Sequence, residues 1–456
     1  MKKPRITAAD VRKIVHDHNV SFIRLQFVDI FGQMKNVAIT ATELDRVLEH
    51  GMVFDGSSVE GFVRIEESDM YLRPDPDTFA IMPWYKEYTI ARMICDVYRP
   101  DGTPFEGDPR YILRSALDEA AKMGYEFYVG PECEFFLFDK DENGNSTLSP
   151  HDNAGYFDLA PIDTSEIARL DMVNTLMQMG FQIEAAHHEN GPGQHEIDFK
   201  YSNALNAADN IVTFKLVVKV VANKHKLHAT FMPKPLGDEC GSGMHCNMSL
   251  FKEGVNAFYD PQGENGLSKE AYWFMEGLLR HAQGMCAITN PIVNSYKRLV
   301  PGYEAPVYIA WSLANRSPLV RIPVARGAGT RLELRHPDPT CNPYLALAVM
   351  LKCGLEGIGE GKKDGKKEGE SRKYKLSKAV DRNIYHMTDS DLQKAKIKRL
   401  PANLREALEA LTKDALIKET LGKHVLDNFL KAKHIEWTEY SGAVHPWEID
   451  RYLKGY

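Results

Sequence analysis

The nine residues GPECEFFLF, 130–138, restrict the folding options of this chain more than any other stretch. The aromatic run has the composition of a buried strand, yet Glu132 and Glu134 stand two apart at its head. Strand side chains alternate faces, so both carboxylates point one way while Cys133, Phe135 and Leu137 point the other. Like charges held together against apolar surface raise each other's pKa and cost stability. The fold must bring something cationic to that face.

The pattern recurs. In RLELR (331–335), Arg331, Glu333 and Arg335 share a face opposite Leu332 and Leu334. In MHCNMSLF (244–251), His245, Asn247 and Ser249 oppose Met244, Cys246, Met248 and Leu250. In HHENGPGQHEIDF, Glu189 and Glu196 flank a Gly-Pro-Gly stretch able to turn them toward a common point. One such strand alone reads as an ordinary half-exposed strand. Four that supply Glu, His or Arg and scarcely any Lys predict a barrel-like sheet with a polar interior, which needs cations to stay ionised. Oxygen donors from Glu132, Glu134, Glu189, Glu196 and Glu333, with His245 the one nitrogen, favour Mg2+ or Mn2+ over zinc. A pair of divalent ions would nearly balance these carboxylates and would suit phosphoryl transfer.

At 456 residues the chain can bury a large core and divide into two domains. Its 56 basic against 63 acidic residues, net −7, give no nucleic-acid footprint. The charged start MKKPRITAADVRKIVHDHNV is no signal peptide, and no apolar run approaches the roughly 20 residues of a membrane span. Seven scattered cysteines without a CxxC pair fit reduced thiols, so a cytoplasmic protein is expected.

A small α+β domain is predicted over 1–105. It has a helix at 8–19, a hairpin turning at Phe31-Gly32 and a strand at 88–98, and RPDGTPFEGDPR reads as a linker. A larger mixed domain is predicted over 106–456. Helical spacing marks 109–123, 165–179, 203–227, 268–288 and 342–357; short strands fall at 126–138, 182–189, 194–199, 229–232, 243–251 and 330–336. EGIGEGKKDGKKEGESRKYKL reads as a solvated loop, and the tail from about 401 as helical.

DGSS (55–58), GPECEFF, NGPGQHE (190–196), GSGMHCNMSLF (241–251), KRLVPGYEAP (297–306), NRSPLVRIP (315–323) and RLELR occur in one order. Together the chain resembles the type I glutamine synthetases from about residue 15 onward. Arg64, in GFVRIEESDM, matches their glutamine-inhibited alpha subclass. The resemblance implies an N-terminal β-grasp-like domain and a catalytic domain whose antiparallel sheet forms a funnel-shaped active site with helices outside. It implies ATP-dependent joining of L-glutamate and ammonium through γ-glutamyl phosphate, giving glutamine, ADP and phosphate for nitrogen assimilation. Glu134, Glu189 and Glu196 would hold one metal, and Glu132, His245 and Glu333 the other. Arg298 would clamp the glutamate carboxylate beside Gly241, while Arg335 and Arg316 would contact phosphate and substrate. Arg316, Arg321 and Arg331 would face ATP, with Glu184, Phe199, Asn247 and Ser249 lining the nucleotide. Glu304 matches a flap that closes over the intermediate, and an acyl phosphate needs such a lid against water.

Asp55 and Ser58 resemble the ammonium site, with Asp55 taking a proton and Tyr156 joining them; by composition alone DGSS is a β-turn. In the family this loop comes from a neighbouring subunit of a dodecamer of two stacked hexamers, latched by the C-terminal tail. A small nitrogen-signalling regulator protein is a candidate partner, and Arg24 with Arg92 a candidate pocket for a 2-oxo acid. Tyr385 falls where another subclass is adenylylated, but its HMTDSD surroundings argue against modification here. Cys240 stands where the family usually has Asn, keeping the backbone contact to glutamate and losing the amide. A γ-glutamyl ligase for polyamines would lose the ammonium residues, and a non-catalytic relative would lose the metal carboxylates.

Overall fold

The computed structural model describes residues 5–59, 61, 69–315, 317–364, 377–381 and 384–455; Arg64 and Arg316 lie outside them. The chain opens with α1 (Ala8–Asp17), nucleated by a capping box in which Thr7 and Asp10 satisfy each other's backbone N–H. Strands β1 (Phe22–Val28) and β2 (Met34–Thr40) form the expected antiparallel hairpin, with Gly32 at φ +78° in its turn. After α2 (Leu44–His50), β3 (Met52–Asp55), β4 (Asp69–Pro74), β5 (Ala80–Ile81) and β6 (Ile90–Tyr98) complete a sheet ordered β2-β1-β6-β4-β3, with β5 on β6. β1 and β6 run parallel. Ile23, Leu25, Phe27, Met93 and Val97 of this sheet pack with Val11, Leu44 and Val47 into a core of their own.

The larger part begins at α3 (Pro109–Lys122), capped by Asp108 with proline in the first turn. In chain order follow β7 (Glu126–Lys140), β8 (Ser146–Pro150), α4 (Glu166–Gln178), β9 (Ile183–His188), β10 (Gln194–Phe199) and β11 (Ser202–Asn203). Then come α5 (Ala204–Lys224), β12 (Leu227–Thr230), β13 (Met244–Lys252), β14 (Val255–Asn256), α6 (Lys269–Thr289) and α7 (Ser295–Arg298). The remainder is β15 (Tyr308–Ser312), β16 (Pro318–Arg321), β17 (Leu332–Leu334), α8 (Pro343–Asp364), α9 (Asp389–Ala395), β18 (Lys398–Arg399), α10 (Leu404–Lys413), α11 (Ala415–Gly442) and α12 (Pro446–Tyr452).

Its sheet is ordered β18-β15-β16-β17-β13-β7-β10-β9, with β8, β11 and β12 also pairing with β7 and β14 with β13. The pairs are antiparallel apart from β15 with β16. Helices cover the apolar back of the sheet: Phe135 of β7 meets Phe214 of α5 and Phe231. Behind them α6 and α8 touch backbone to backbone. A Cβ on Gly277 would stand 2.0 Å from the Cys353 carbonyl oxygen, and one on Gly357 2.1 Å from that of Trp273.

One expectation is corrected. The charged segment expected as loop is helical up to Asp364, because Ile358 and Gly361 continue the buried face of α8 against α6; residues 365–376 lie outside the described residues. The C-terminal tail is helical as expected, in successive pieces: Asp414 ends α10 and caps α11, and α11 bends at Gly422, φ 70°. No described helix is long and apolar enough to cross a membrane.

A buried guanidinium ties the N-terminal sheet to the helices of the larger part. Arg110 bonds Asp75 at 2.8 Å and Asp96 at 2.6 Å from the N-terminal sheet, and Asp209 of α5 at 2.9 Å. Tyr344 donates to the same Asp209 at 2.7 Å. Asn342 adds a link, donating to the carbonyls of Asp29 and Ile30 in the β1–β2 turn.

Candidate active site

Strand register assembles one polar row across the large sheet. Arg321 lies beside Glu333, Glu333 beside Asn247, His245 beside Glu132, Glu134 beside Glu196, and Glu196 beside His187. Apart from Asn247, these side chains wall a cavity of about 350 Å³ that also takes in Glu189, Asp198, Arg298, Glu304 and Arg335. The alternation that made the sequence unusual therefore delivers its carboxylates to one place.

Ligating atoms of Glu132, His245 and Glu333 lie within 4.8 Å of one another. His245 Nδ1 stands 3.2 Å from Glu132 Oε2, and Asn247 donates to the other oxygen at 2.8 Å. Burial pushes the Glu132 carboxyl up, but the hydrogen bond and charge of His245 outweigh it and hold it down at about 2. Glu333 is buried, paired by Arg321 and flanked by Arg335 at 3.5 Å. Glu134 is pinned by the backbone N–H of Gly243 at 2.8 Å and by Gln194 at 3.1 Å.

The other end of the row is short of positive charge. Burial, then the charge of Glu134, pushes Glu189 up to about 8; burial and Asp198 push Glu196 well above its usual range. Asp198 itself is pushed up to about 7 by burial and Glu132. Around Glu196 the structure gathers His187, at 3.3 Å, and Asp198 more tightly than Glu134 and Glu189. A divalent ion suits this donor set of carboxylates and imidazole, and it would supply counter-charge that the described residues do not provide here.

The arginines differ in how they are held. Arg298, buried at the base of the cavity, spends its donors on the carbonyls of His336, Pro337 and Arg335, and no described carboxylate pairs with it. That leaves its charge for an anionic ligand. Its approach depends on glycine: a Cβ on Gly241 would stand 3.0 Å from Arg298 Cγ, and one on Gly243 2.4 Å from Nη2. Glu304 sits at φ +58°, unusual for a side-chain-bearing residue, held by Asn190 at 3.4 Å and by Arg335 on its carbonyl. Tyr156 lines the cavity edge, stacked on Phe157 with centroids 4.0 Å apart. Cys240 also lines it, and burial raises its thiol to about 11, keeping it protonated at neutral pH.

Other expected residues stand apart. Asp55 and Ser58 lie at an exposed turn after β3, where Asp55 accepts from Ser57, and they do not line this chain's cavity. Asn247 and Arg331 are joined at 2.9 Å, with Ser249 further along β13. Glu184 is exposed on β9, whereas the Phe199 ring packs on Phe181 in the core and leaves only backbone to face a ligand. Arg24 and Arg92 are neighbours in the β1–β6 pair, and Arg92 is buried with one bond, to Thr213 at 3.2 Å. Tyr385 is half-buried and donates to the Ala305 carbonyl at 2.6 Å, next to Glu304. Sequence reasoning missed His187 and Asp198. The signal was present, since His187 and Glu189, like Glu196 and Asp198, are two apart on their strands.

Fold and site together define a metal-binding enzyme. The glutamine synthetase catalytic domain model matches residues 106–452, and the glutamine synthetase β-grasp domain model residues 19–100. The chain is 57% identical over 455 residues to the glutamine synthetase of Thermus thermophilus, covering 99% of both chains. It is 56% identical over 453 residues to that of Clostridium saccharobutylicum, covering 99% of this chain and 100% of the relative. Among solved structures, GmaS in complex with ADP superposes with TM-score 0.86 at 32% identity, over 97% of this chain and 99% of the other. Plasmodium falciparum glutamine synthetase superposes with TM-score 0.85 at 26% identity, over 99% and 100%. The chain belongs to the glutamine synthetase family and carries the catalytic domain of a glutamate–ammonia ligase.

Proposed function

We propose that this chain condenses L-glutamate with ammonium through γ-glutamyl phosphate, consuming ATP, and serves nitrogen assimilation in the cytoplasm. The observation that carries the reading is Arg298, a buried guanidinium that no described carboxylate pairs with, beside an acid-walled cavity. Arg298 receives the α-carboxylate of glutamate and fixes the γ-carboxylate toward the row of acids. Mg2+ or Mn2+, held by Glu132, His245 and Glu333 and by Glu134, Glu189 and Glu196, supplies neutralisation of phosphate charge when bound. Arg335 stabilises charge developing on the transferred phosphoryl group, and Arg316, by the family resemblance, contacts phosphate and substrate. Arg321 and Arg331 orient the nucleotide along Asn247, Ser249, Glu184 and the backbone of Phe199. Glu304 covers the acyl phosphate and, with Asp55, Ser58 and Tyr156, forms the ammonium site, where Asp55 takes the proton that frees ammonia.

Asp55 and Ser58 lie away from this chain's own cavity, which favours their delivery by a neighbouring copy in a dodecamer of two hexamers. The parts 1–105 and 106–456 would act as two domains on either side of that contact. We further infer glutamine feedback through Arg64, relieved in Arg64→Ala, with a nitrogen-signalling protein as a candidate regulator and a 2-oxo acid at Arg24 and Arg92 as candidate effector.

The test is phosphate release from ATP and glutamate with ammonium, against putrescine as the competing acceptor, titrated with glutamine and 2-oxoglutarate. Ammonium-specific turnover supports the reading, and preference for putrescine overturns it. Glu304→Ala should release phosphate without matching glutamine; tight coupling in that variant removes Glu304 from its role.

A further inference from the structure

A second layer of charge lies directly behind the acid wall. His188 and His195 are cross-strand partners on β9 and β10, their rings edge to face with centroids 4.7 Å apart. Each immediately precedes a carboxylate of the cavity, Glu189 and Glu196, and strand alternation turns it to the opposite face. Asp152, with no exposed side-chain surface, accepts from His188 Nε2 at 2.8 Å, from the Gly193 backbone N–H at 2.9 Å and from the Ser165 hydroxyl at 2.9 Å. His188 Nδ1 lies 2.7 Å from the Glu189 carbonyl oxygen. Both ring nitrogens therefore face oxygens that accept, and donating to both requires the imidazolium form. Arg169 completes the layer, bonded to Asp163 at 2.7 Å and to His195 Nδ1 at 2.9 Å.

Ligating atoms of Asp152, Asp163, His188 and His195 approach within 4.8 Å, but the Arg169 guanidinium already supplies a cation to this group. The layer is neutral within itself and is not a metal site. Its bonds run to the backbone of the 189–194 turn, which is further stitched by Leu137 N–H to the Gly193 carbonyl at 2.7 Å and Glu189 N–H to the Gln194 carbonyl at 2.7 Å. Without such ties a Gly-Pro-Gly turn leaves its flanking carboxylates poorly fixed.

We propose that Asp152 and His188 are positioning residues that lock this turn so that Glu189 and Glu196 stand in place to receive one divalent ion; the proposal rests on the metal reading above. Partners that orient metal ligands in this way set affinity as much as geometry. The test titrates Mn2+ into the full-length wild type, Asp152→Asn, His188→Gln and Glu196→Gln, with free Mn2+ read by electron paramagnetic resonance. Asp152→Asn and His188→Gln should keep the wild-type number of ions but bind one class about 10- to 100-fold more weakly, with the other class unchanged. Glu196→Gln should lose that class. Wild-type isotherms for Asp152→Asn and His188→Gln beside a lost class in Glu196→Gln overturn the positioning role and leave the metal reading standing. A wild-type isotherm for Glu196→Gln overturns both. Melting temperatures with and without Mn2+ provide the second readout. A smaller Mn2+-induced rise supports positioning, whereas a lower metal-free value with an undiminished rise marks a merely structural role and overturns it. Should either variant fail to fold, Ser165→Ala removes one hydrogen bond from Asp152 and should weaken the same class by up to about fivefold; an unchanged isotherm there counts against the proposal.

Discussion

Two clusters of acids in this molecule use the same residue type to opposite ends. Around Arg110, Asp75, Asp96 and Asp209 converge on one guanidinium, and Arg114 adds bonds to Asp75 and Asp96 at 2.9 and 3.1 Å. Burial pushes Asp75 up, but Arg110 and Arg114 outweigh it and hold the carboxyl below its usual range. On the cavity wall Glu189 and Glu196 are pushed the other way, because carboxylates are their neighbours. Acids that join the N-terminal sheet to the helices of the larger part come with their cations in the chain. Those that face the cavity leave the charge open, which is where a metal-dependent site keeps its driving force.

The comparison breaks most visibly at Arg110. Arg110→Leu leaves buried Asp209 without its guanidinium and Asp75 and Asp96 with Arg114 alone, and should cost about 3–5 kcal/mol, read from the urea midpoint. Because the missing charge is internal, saturating Mn2+ should not recover it. Recovery by the metal would show that the two clusters do not differ in kind.

Glu196→Gln should behave in the opposite sense. It replaces a carboxyl whose ionisation burial and the charges of Asp198 and Glu134 already oppose, so the metal-free protein should be as stable as the wild type or more so. Mn2+ affinity should nonetheless fall by about 100-fold or more, measured by titration. A destabilised metal-free variant would mean that Glu196 is satisfied by the protein alone.

This contrast shows what a sequence can display. The wall was legible because Glu132 and Glu134 of β7, Glu196 and Asp198 of β10, His245, Asn247 and Ser249 of β13 and Glu333 of β17 fall at alternate positions, so side-chain type at every second position announces the wet face. The charged stretch after Glu356 misled because charge on one side of a helix does not interrupt burial on the other, and Ile358 is fully buried. β15 (YIAWS) and β16 (PLVR) escaped because short apolar runs carry no period. Arg298 was accessible only through family resemblance. It sits on a four-residue helix, and its role depends on three backbone carbonyls that no pattern of side chains reports. The Arg110 node was invisible for a related reason: its partners lie 35, 14 and 99 positions away.

Acidity offers a smaller perturbation of the same contrast. With Glu189 at about 8 and Asp198 at about 7, the metal-free folded state binds more protons than the unfolded chain between the ordinary carboxylate range and those values. Their contribution is therefore fully present at acid pH and lost as pH rises through 7 to 8. In EDTA the melting temperature should fall across that window, and Mn2+ should flatten the fall by favouring the ionised form. A fall that persists undiminished under saturating Mn2+ would detach the titration from the cavity wall.

The smallest effect is expected at the lid. Glu304 holds a left-handed backbone conformation, which costs on the order of 1 kcal/mol or more and must be imposed by its surroundings. One such restraint is the Tyr385 hydroxyl on the next carbonyl, Ala305, at 2.6 Å. Tyr385→Phe deletes that bond for about 1 kcal/mol while keeping the ring, so global stability should barely change. Closure should suffer instead: phosphate released per glutamine formed should rise modestly, and far less than in Glu304→Ala. If the ratio stays at the wild-type value while the melting temperature drops, the hydroxyl supports the subdomain around Tyr308 and Ile384 rather than the lid. The distinction matters for the comparison, because it asks whether the open charge of the wall is guarded by a loop held from behind or by Glu304 alone.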